Sequence, residues 1–129
     1  MKSVCICSSA KFKPEVRKFA RELEKAGVTV YIPYHHIGNE EWENLSKAYK
    51  KFVALGLTHD HFYKIRMADV IFIYNKGGYS GNSTTLEIGY AAALGKPIYA
   101  VSDKDEELCR KVLVRGFFET AKEFAKILK

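Results

Sequence analysis

Hydrophobic positions along this chain alternate between short unbroken runs and runs spaced by three or four. Val4-Cys5-Ile6-Cys7 is unbroken and ends at Ser8-Ser9, which predicts a buried strand. Val16, Phe19, Ala20 and Leu23 then recur on one helical face, with Pro14 suited to the first turn and Gly27 ending the helix. Val28 to Ile32 predicts a second strand, stopped by Pro33. A strand–helix–strand unit of this length predicts parallel pairing with a right-handed crossover.

Further along, Tyr34 to Asn39 reads as a loop carrying His35 and His36. Glu40 to about Val53 reads as a helix with a patchy apolar face, and Thr58 is placed to cap a second helix, His59 to Met67. Val70 to Tyr74 is apolar throughout, as for a strand covered on both faces. Gly77, Gly78 and Gly81 form a loop, after which Ser83, Thr84 and Thr85 can cap a helix that runs to Leu94 and closes at Gly95 and Pro97. Pro97 to Val101 predicts a fourth strand, Lys104 to Lys111 a charged helix, and Val112-Leu113-Val114 a fifth short strand. Phe117, Ala121, Phe124, Ala125 and Leu128 mark a C-terminal helix that docks on the sheet. The pattern predicts one α/β domain over residues 1–129: a doubly wound, Rossmann-like or flavodoxin-like parallel sheet of four or five strands with helices on both faces.

Composition narrows the function classes. With 47% hydrophobic and 28% charged residues in 129, this is ordinary globular usage. A net charge of +6 raises nucleic acid as a partner, but Lys18, Lys25, Lys47, Lys50, Lys122 and Lys126 are spread over the polar sides of several helices. No nucleic-acid polymer is expected, although a positive field favours a phosphorylated small substrate. Three cysteines cannot all pair, so Cys5, Cys7 and Cys109 are read as small buried residues in a reducing compartment. No apolar stretch reaches signal-peptide or membrane-span length, and a cytoplasmic location without membrane contact is expected.

The candidate chemistry gathers at strand ends, where open α/β sheets bind their ligands. Glu87 has two readings. It completes a capping box with Thr84, or it faces a ligand beyond the glycine loop. Ser8 and Ser9, with Lys11, can hold a phosphate or ribose hydroxyls, or can serve only a turn and a cap. Ser80, Asn82 and Ser83 offer the same polar grip beside Gly81. A Walker ending is absent and no G-x-G-x-x-G follows the first strand, which argues against triphosphate hydrolysis and dinucleotide binding. No metal is expected: C-x-C is weak evidence alone, and His59 and His61 are two apart and cannot share a helix face. Asp69 is read as a structural acceptor, and Trp42 and Tyr49 as core, pocket cover or subunit interface.

The order strand-Ser-Ser, then H-F-Y-K-I-R-M-A-D-V-I-F-I, then G-N-S-T-T-L-E-I-G-Y-A-A-A-L-G-K-P-I resembles the nucleoside 2-deoxyribosyltransferase family, which includes 2′-deoxynucleoside 5′-phosphate N-hydrolases. The similarity runs from about Lys2 to Val101. It implies that Glu87 is a nucleophile attacking C1′ of a deoxyribose and expelling the base. It also implies a nucleoside or nucleotide substrate, no cofactor, and a homo-oligomer whose subunits complete each other's pockets. Two positions depart from the family: Cys5 stands where many members have tyrosine, and His61 where an aspartate is usual. His61 is then the expected group near the base, with Ser8, Ser9, Lys11, Gly81, Asn82 and Ser83 holding the sugar or a 5′-phosphate. The alternative is a nucleotide-binding or sensing module that kept the fold and lost catalysis.

Overall fold

A computed structural model describes residues 1–34 and 39–129. The four described strands are β1 (Val4–Ser8), β2 (Val30–Tyr31), β3 (Val70–Tyr74) and β4 (Ile98–Ala100), all parallel in the order β2-β1-β3-β4. Pairing is fullest at the centre, where Val4 to Ser8 align one-to-one with Val70 to Tyr74. The helices are α1 (Lys13–Lys25), α2 (Asn39–Glu43), α3 (Lys47–Met67), α4 (Asn82–Ala93), α5 (Leu108–Lys111) and α6 (Ala121–Ile127).

The period-two alternation of strands sorts the core into two layers. Val4, Ile6, Val70 and Phe72 point to the face covered by α1 and α6, where Phe72 stacks on Phe19 at 4.7 Å and meets Phe124 at 4.5 Å between ring centroids. Cys5, Cys7, Ile71 and Ile73 point to the other face, against Ile65 of α3 and Ile88 of α4. Both faces are therefore helix-covered, which is the doubly wound α/β architecture expected from the unbroken apolar runs. The order β2-β1-β3-β4 places the strand reversal between β1 and β3, so the loops after those two strands border one crevice.

Several boundaries differ from the sequence reading. The helix expected over His59–Met67 behind a Thr58 cap is instead the second half of α3, which begins at the Ser46 cap, whose hydroxyl accepts from the Tyr49 amide. Thr58 lies inside it and donates its hydroxyl proton to the Ala54 carbonyl at 2.7 Å. Gly56 weakens this helix but does not break it, since a glycine costs a helix only about 1 kcal/mol and no proline intervenes. The helix expected over Lys104–Lys111 shortens to α5. No fifth strand forms at Val112–Val114, and Val112 is 73% exposed. The edge is used just beyond it, where the Arg115 amide donates to the Ile98 carbonyl and Ala100 makes a parallel bridge with Phe117. The C-terminal helix starts only at Ala121, behind a Thr120 cap. Asp69 takes the Ser3 amide at 2.8 Å and so fastens the start of β3 to the start of β1, as expected of a structural acceptor.

Candidate functional site

The crevice at the carboxyl ends of β1 and β3 opens into a cavity of about 400 Å³. Ser8, Ser9 and Ala10 line it from the end of β1, and Gly81 to Thr84, Leu86 and Glu87 from the loop after β3 and the start of α4. Leu57, Thr58, His61 and Phe62 of α3 close a third side, with Pro33 and Tyr34 after β2. Phe62 is held in place by stacking on Tyr90 at 4.2 Å.

Glu87 is not a capping residue. The helix starts at Asn82, with Gly81 as its N-cap and no side-chain cap, so Glu87 stands in the second turn. Its carboxylate faces His61, with Oε2 3.5 Å from the imidazole Nε2. Burial pushes the Glu87 carboxyl up to about 7; the His61 charge opposes that rise and the Cys5 charge adds to it. Thr85, expected as a cap, donates instead to the Gly81 carbonyl at 2.9 Å and receives Arg110 at 3.2 Å.

His61 is 4% exposed, and one side of its ring faces two sulfurs. Nε2 lies 3.2 Å from Cys7 Sγ and 3.8 Å from Cys5 Sγ. Burial alone would lower the imidazole pKa, but the Cys5 hydrogen bond and the negative charges of Cys5 and Glu87 outweigh it and raise the value. The two thiols titrate as a pair. A hydrogen bond from Cys7, helped by His61 and opposed by burial, lowers Cys5 to about 6, whereas the same bond and burial push Cys7 well up. The ionised form is thus favoured on Cys5 and disfavoured on Cys7.

Other polar groups in the cavity lack protein partners. Among the described residues, Ser8 Oγ, Thr84 Oγ1 and His61 Nδ1 are buried with no hydrogen-bond partner, and all three residues line the cavity. Buried polar groups are ordinarily paired, so these are positions a bound molecule would satisfy. Ser9 caps a short turn by accepting from the Lys11 amide at 3.4 Å, and still lines the cavity. Lys11 does not line it: its ammonium lies 3.7 Å from the Tyr79 ring centroid. Ser80 also lies outside this lining, whereas Asn82, Ser83 and Gly81 belong to it. His59 is exposed on α3, away from His61 as the spacing required, and His35 and His36 lie outside the described residues. Sequence reasoning missed the convergence of Cys5, Cys7 and His61, and the cavity role of Thr84 and Phe62. No local signal marks any of these, because the partners come from separate elements.

No curated protein matches the sequence. Among solved structures, the chain resembles a conserved protein from Enterococcus faecalis V583 at a TM-score of 0.69 and 14% identity, covering 98% of this chain and 96% of that one. It also resembles a 2-deoxyribosyltransferase from the psychrotolerant bacterium Bacillus psychrosaccharolyticus, described as a biocatalyst for nucleoside synthesis, at a TM-score of 0.64 and 19% identity, covering 95% and 90%. Those likenesses show a shared fold. Residues 6–123 match the sequence family described as nucleoside 2-deoxyribosyltransferase, nearly the whole of the chain. By that match, this chain belongs to the nucleoside 2-deoxyribosyltransferase family.

Proposed function

We propose that this protein cleaves or transfers at the N-glycosidic bond of a deoxynucleoside or its 5′-monophosphate, with Glu87 as the nucleophile. The observation that carries this reading is a single recessed carboxylate, its side chain 14% exposed, on the wall of a cavity whose unpartnered groups are hydroxyls and an imidazole. A carboxylate oxygen attacks C1′, and the C1′–N bond breaks with its electron pair leaving on the base. The glycosyl ester is then opened at C1′ by water or a second base, which restores the carboxylate. One difficult displacement becomes two easier ones.

His61 is the charge partner of this nucleophile. Protonated, it favours the ionised form of Glu87 at 3.5 Å. Its Nδ1, unclaimed by any described group, is the proton donor we assign to the departing base. Proton delivery of this kind contributes roughly 10²–10⁴-fold. Ser8, Ser9, Asn82, Ser83 and Thr84, on the loop side, are assigned to the sugar or its phosphate.

Incubation with deoxynucleosides and their monophosphates, followed by chromatography for free base, tests the reading. Free base from the native chain and none from Glu87→Ala supports it. Nucleotide binding without base release would support the binding or sensing module instead, a reading favoured by the thiols that stand against His61.

We further propose that the protein self-associates through α3, where Tyr49, Phe52 and Leu55 are 52%, 67% and 59% exposed. Large apolar side chains clustered in this way mark interaction surfaces.

A further inference from the structure

We propose that Cys5, Cys7 and His61 form a binding site for a thiophilic metal ion of the zinc class, buried behind the cavity wall beside Glu87. This goes beyond the glycosidic reading and does not rest on it; with metal on Nε2, the ion rather than a proton on that nitrogen is the positive charge facing Glu87.

The geometry is the first argument. A tetrahedral zinc site with metal–sulfur bonds of about 2.3 Å and metal–nitrogen bonds of about 2.0–2.1 Å places its ligand atoms roughly 3.5–3.8 Å apart. Here Nε2 lies 3.2 Å and 3.8 Å from the two sulfurs, and all three ligand atoms lie within 4.8 Å of one another. Shifts of up to about an ångström bring them onto one centre. The two sulfurs are presented by β1, whose alternation turns Cys5 and Cys7 to the same face, and the imidazole by α3 packed across that face.

The chemistry of the donor set is the second argument. Two thiols and an imidazole select zinc or another thiophilic ion over magnesium or calcium, which take oxygen ligands. Cysteine is a common core residue, but core packing gives no reason to bury an imidazole against two thiols. Ile71 and Ile73 of the sheet and Ile65 and Ile88 of the helices pack around the sulfurs, and of the trio only His61 lines the cavity. A fourth position would lie on that side, where Glu87 Oε2 stands 3.5 Å from Nε2.

Equilibrium dialysis of the reduced, chelator-stripped protein against Zn²⁺, with metal counted per chain, is the test, alongside Co²⁺ titration read by absorbance. We expect one ion per chain and, with Co²⁺, a sulfur-to-cobalt charge-transfer band with the intense visible bands of tetrahedral cobalt. Cys5→Ala, Cys7→Ala and His61→Asn should each weaken binding by about 10-fold or more, while Cys109→Ser, at the exposed cysteine, leaves it unchanged. No stoichiometric uptake, cobalt spectra without sulfur bands, or binding that survives loss of both Cys5 and Cys7 would each overturn the site. Base-release activity enters none of these readouts, so the metal site and the glycosidic reading fail separately.

Discussion

His61 Nε2 and Glu87 Oε2 face each other at 3.5 Å across the cavity wall, one carried by α3 and the other by α4. The pair sets the proposed nucleophile beside an imidazole in a site recessed from water, where electrostatic effects are stronger than on an exposed surface. Replacing Glu87 with glutamine keeps the shape and removes the proposed nucleophile. Base release in Glu87→Gln is expected to fall at least about 10³-fold with circular dichroism unchanged. A chromatographic assay with the fold checked in parallel measures both.

His61→Asn should lower kcat for substrates with poor leaving bases by about 10²-fold or more. Substrates whose base departs without a proton should be affected less. Equal losses across both kinds of base would remove His61 from the donor role.

The Asp105–Arg110 pair pins the segment after β4 to the cavity wall. Arg110 reaches both carboxylate oxygens at 2.8 Å and also donates to Thr85 of α4. The Arg110 hydrogen bonds hold the Asp105 carboxyl below its usual range, with the Glu107 amide adding to the effect against burial. A depressed carboxylate contributes stability that is whole above the unfolded value, about 3.9, and is lost as pH falls through the lower folded value. Asp105→Asn should therefore melt a few degrees below the native chain at neutral pH, with the gap closing below about pH 4. Thermal melts across pH 2.5 to 7 check the sign.

Gly78 adopts φ +88°, and a Cβ there would come within 2.4 Å of the Lys104 backbone carbonyl. Gly78→Ala meets both a left-handed backbone cost of about 1–2 kcal/mol and a clash that no side-chain rotation relieves. Its melting temperature should drop further than that of Gly77→Ala, where φ is also positive but no atom lies within 4 Å. Differential scanning calorimetry of the two variants makes the comparison.

Phe52→Glu on the exposed face of α3 should shift the protein toward monomer in sedimentation velocity while leaving its far-ultraviolet spectrum intact. An unchanged sedimentation coefficient would take self-association away from this face.

Much of the frame was legible from residue order alone. Val70 to Tyr74 had to be a covered strand because every position is apolar or aromatic, and α1 was marked by one apolar stripe between Pro14 and Gly27. The capping-box reading of Glu87 was a real competitor, since Thr84 and Glu87 have the spacing for it. It lost because the glycine loop tightens early and the helix begins at Asn82, before either residue. Likewise the patchy polarity around Thr58 gave no helix break, because a helix needs a stronger signal than one threonine to stop.

The sequence by itself determined the alternation of strands and helices, the parallel sense of the sheet and the strand-to-helix loop that carries the site, since each is marked by the local pattern of apolar runs, glycines and strand–helix–strand units. Only the tertiary structure decided that Cys5 and Cys7 from β1, His61 from α3 and Glu87 from α4 meet at one point. The pairing of β1 directly with β3 and the packing of α3 beside α4 over that pair bring them together. Such long-range packing leaves no trace in the local spacing of residues.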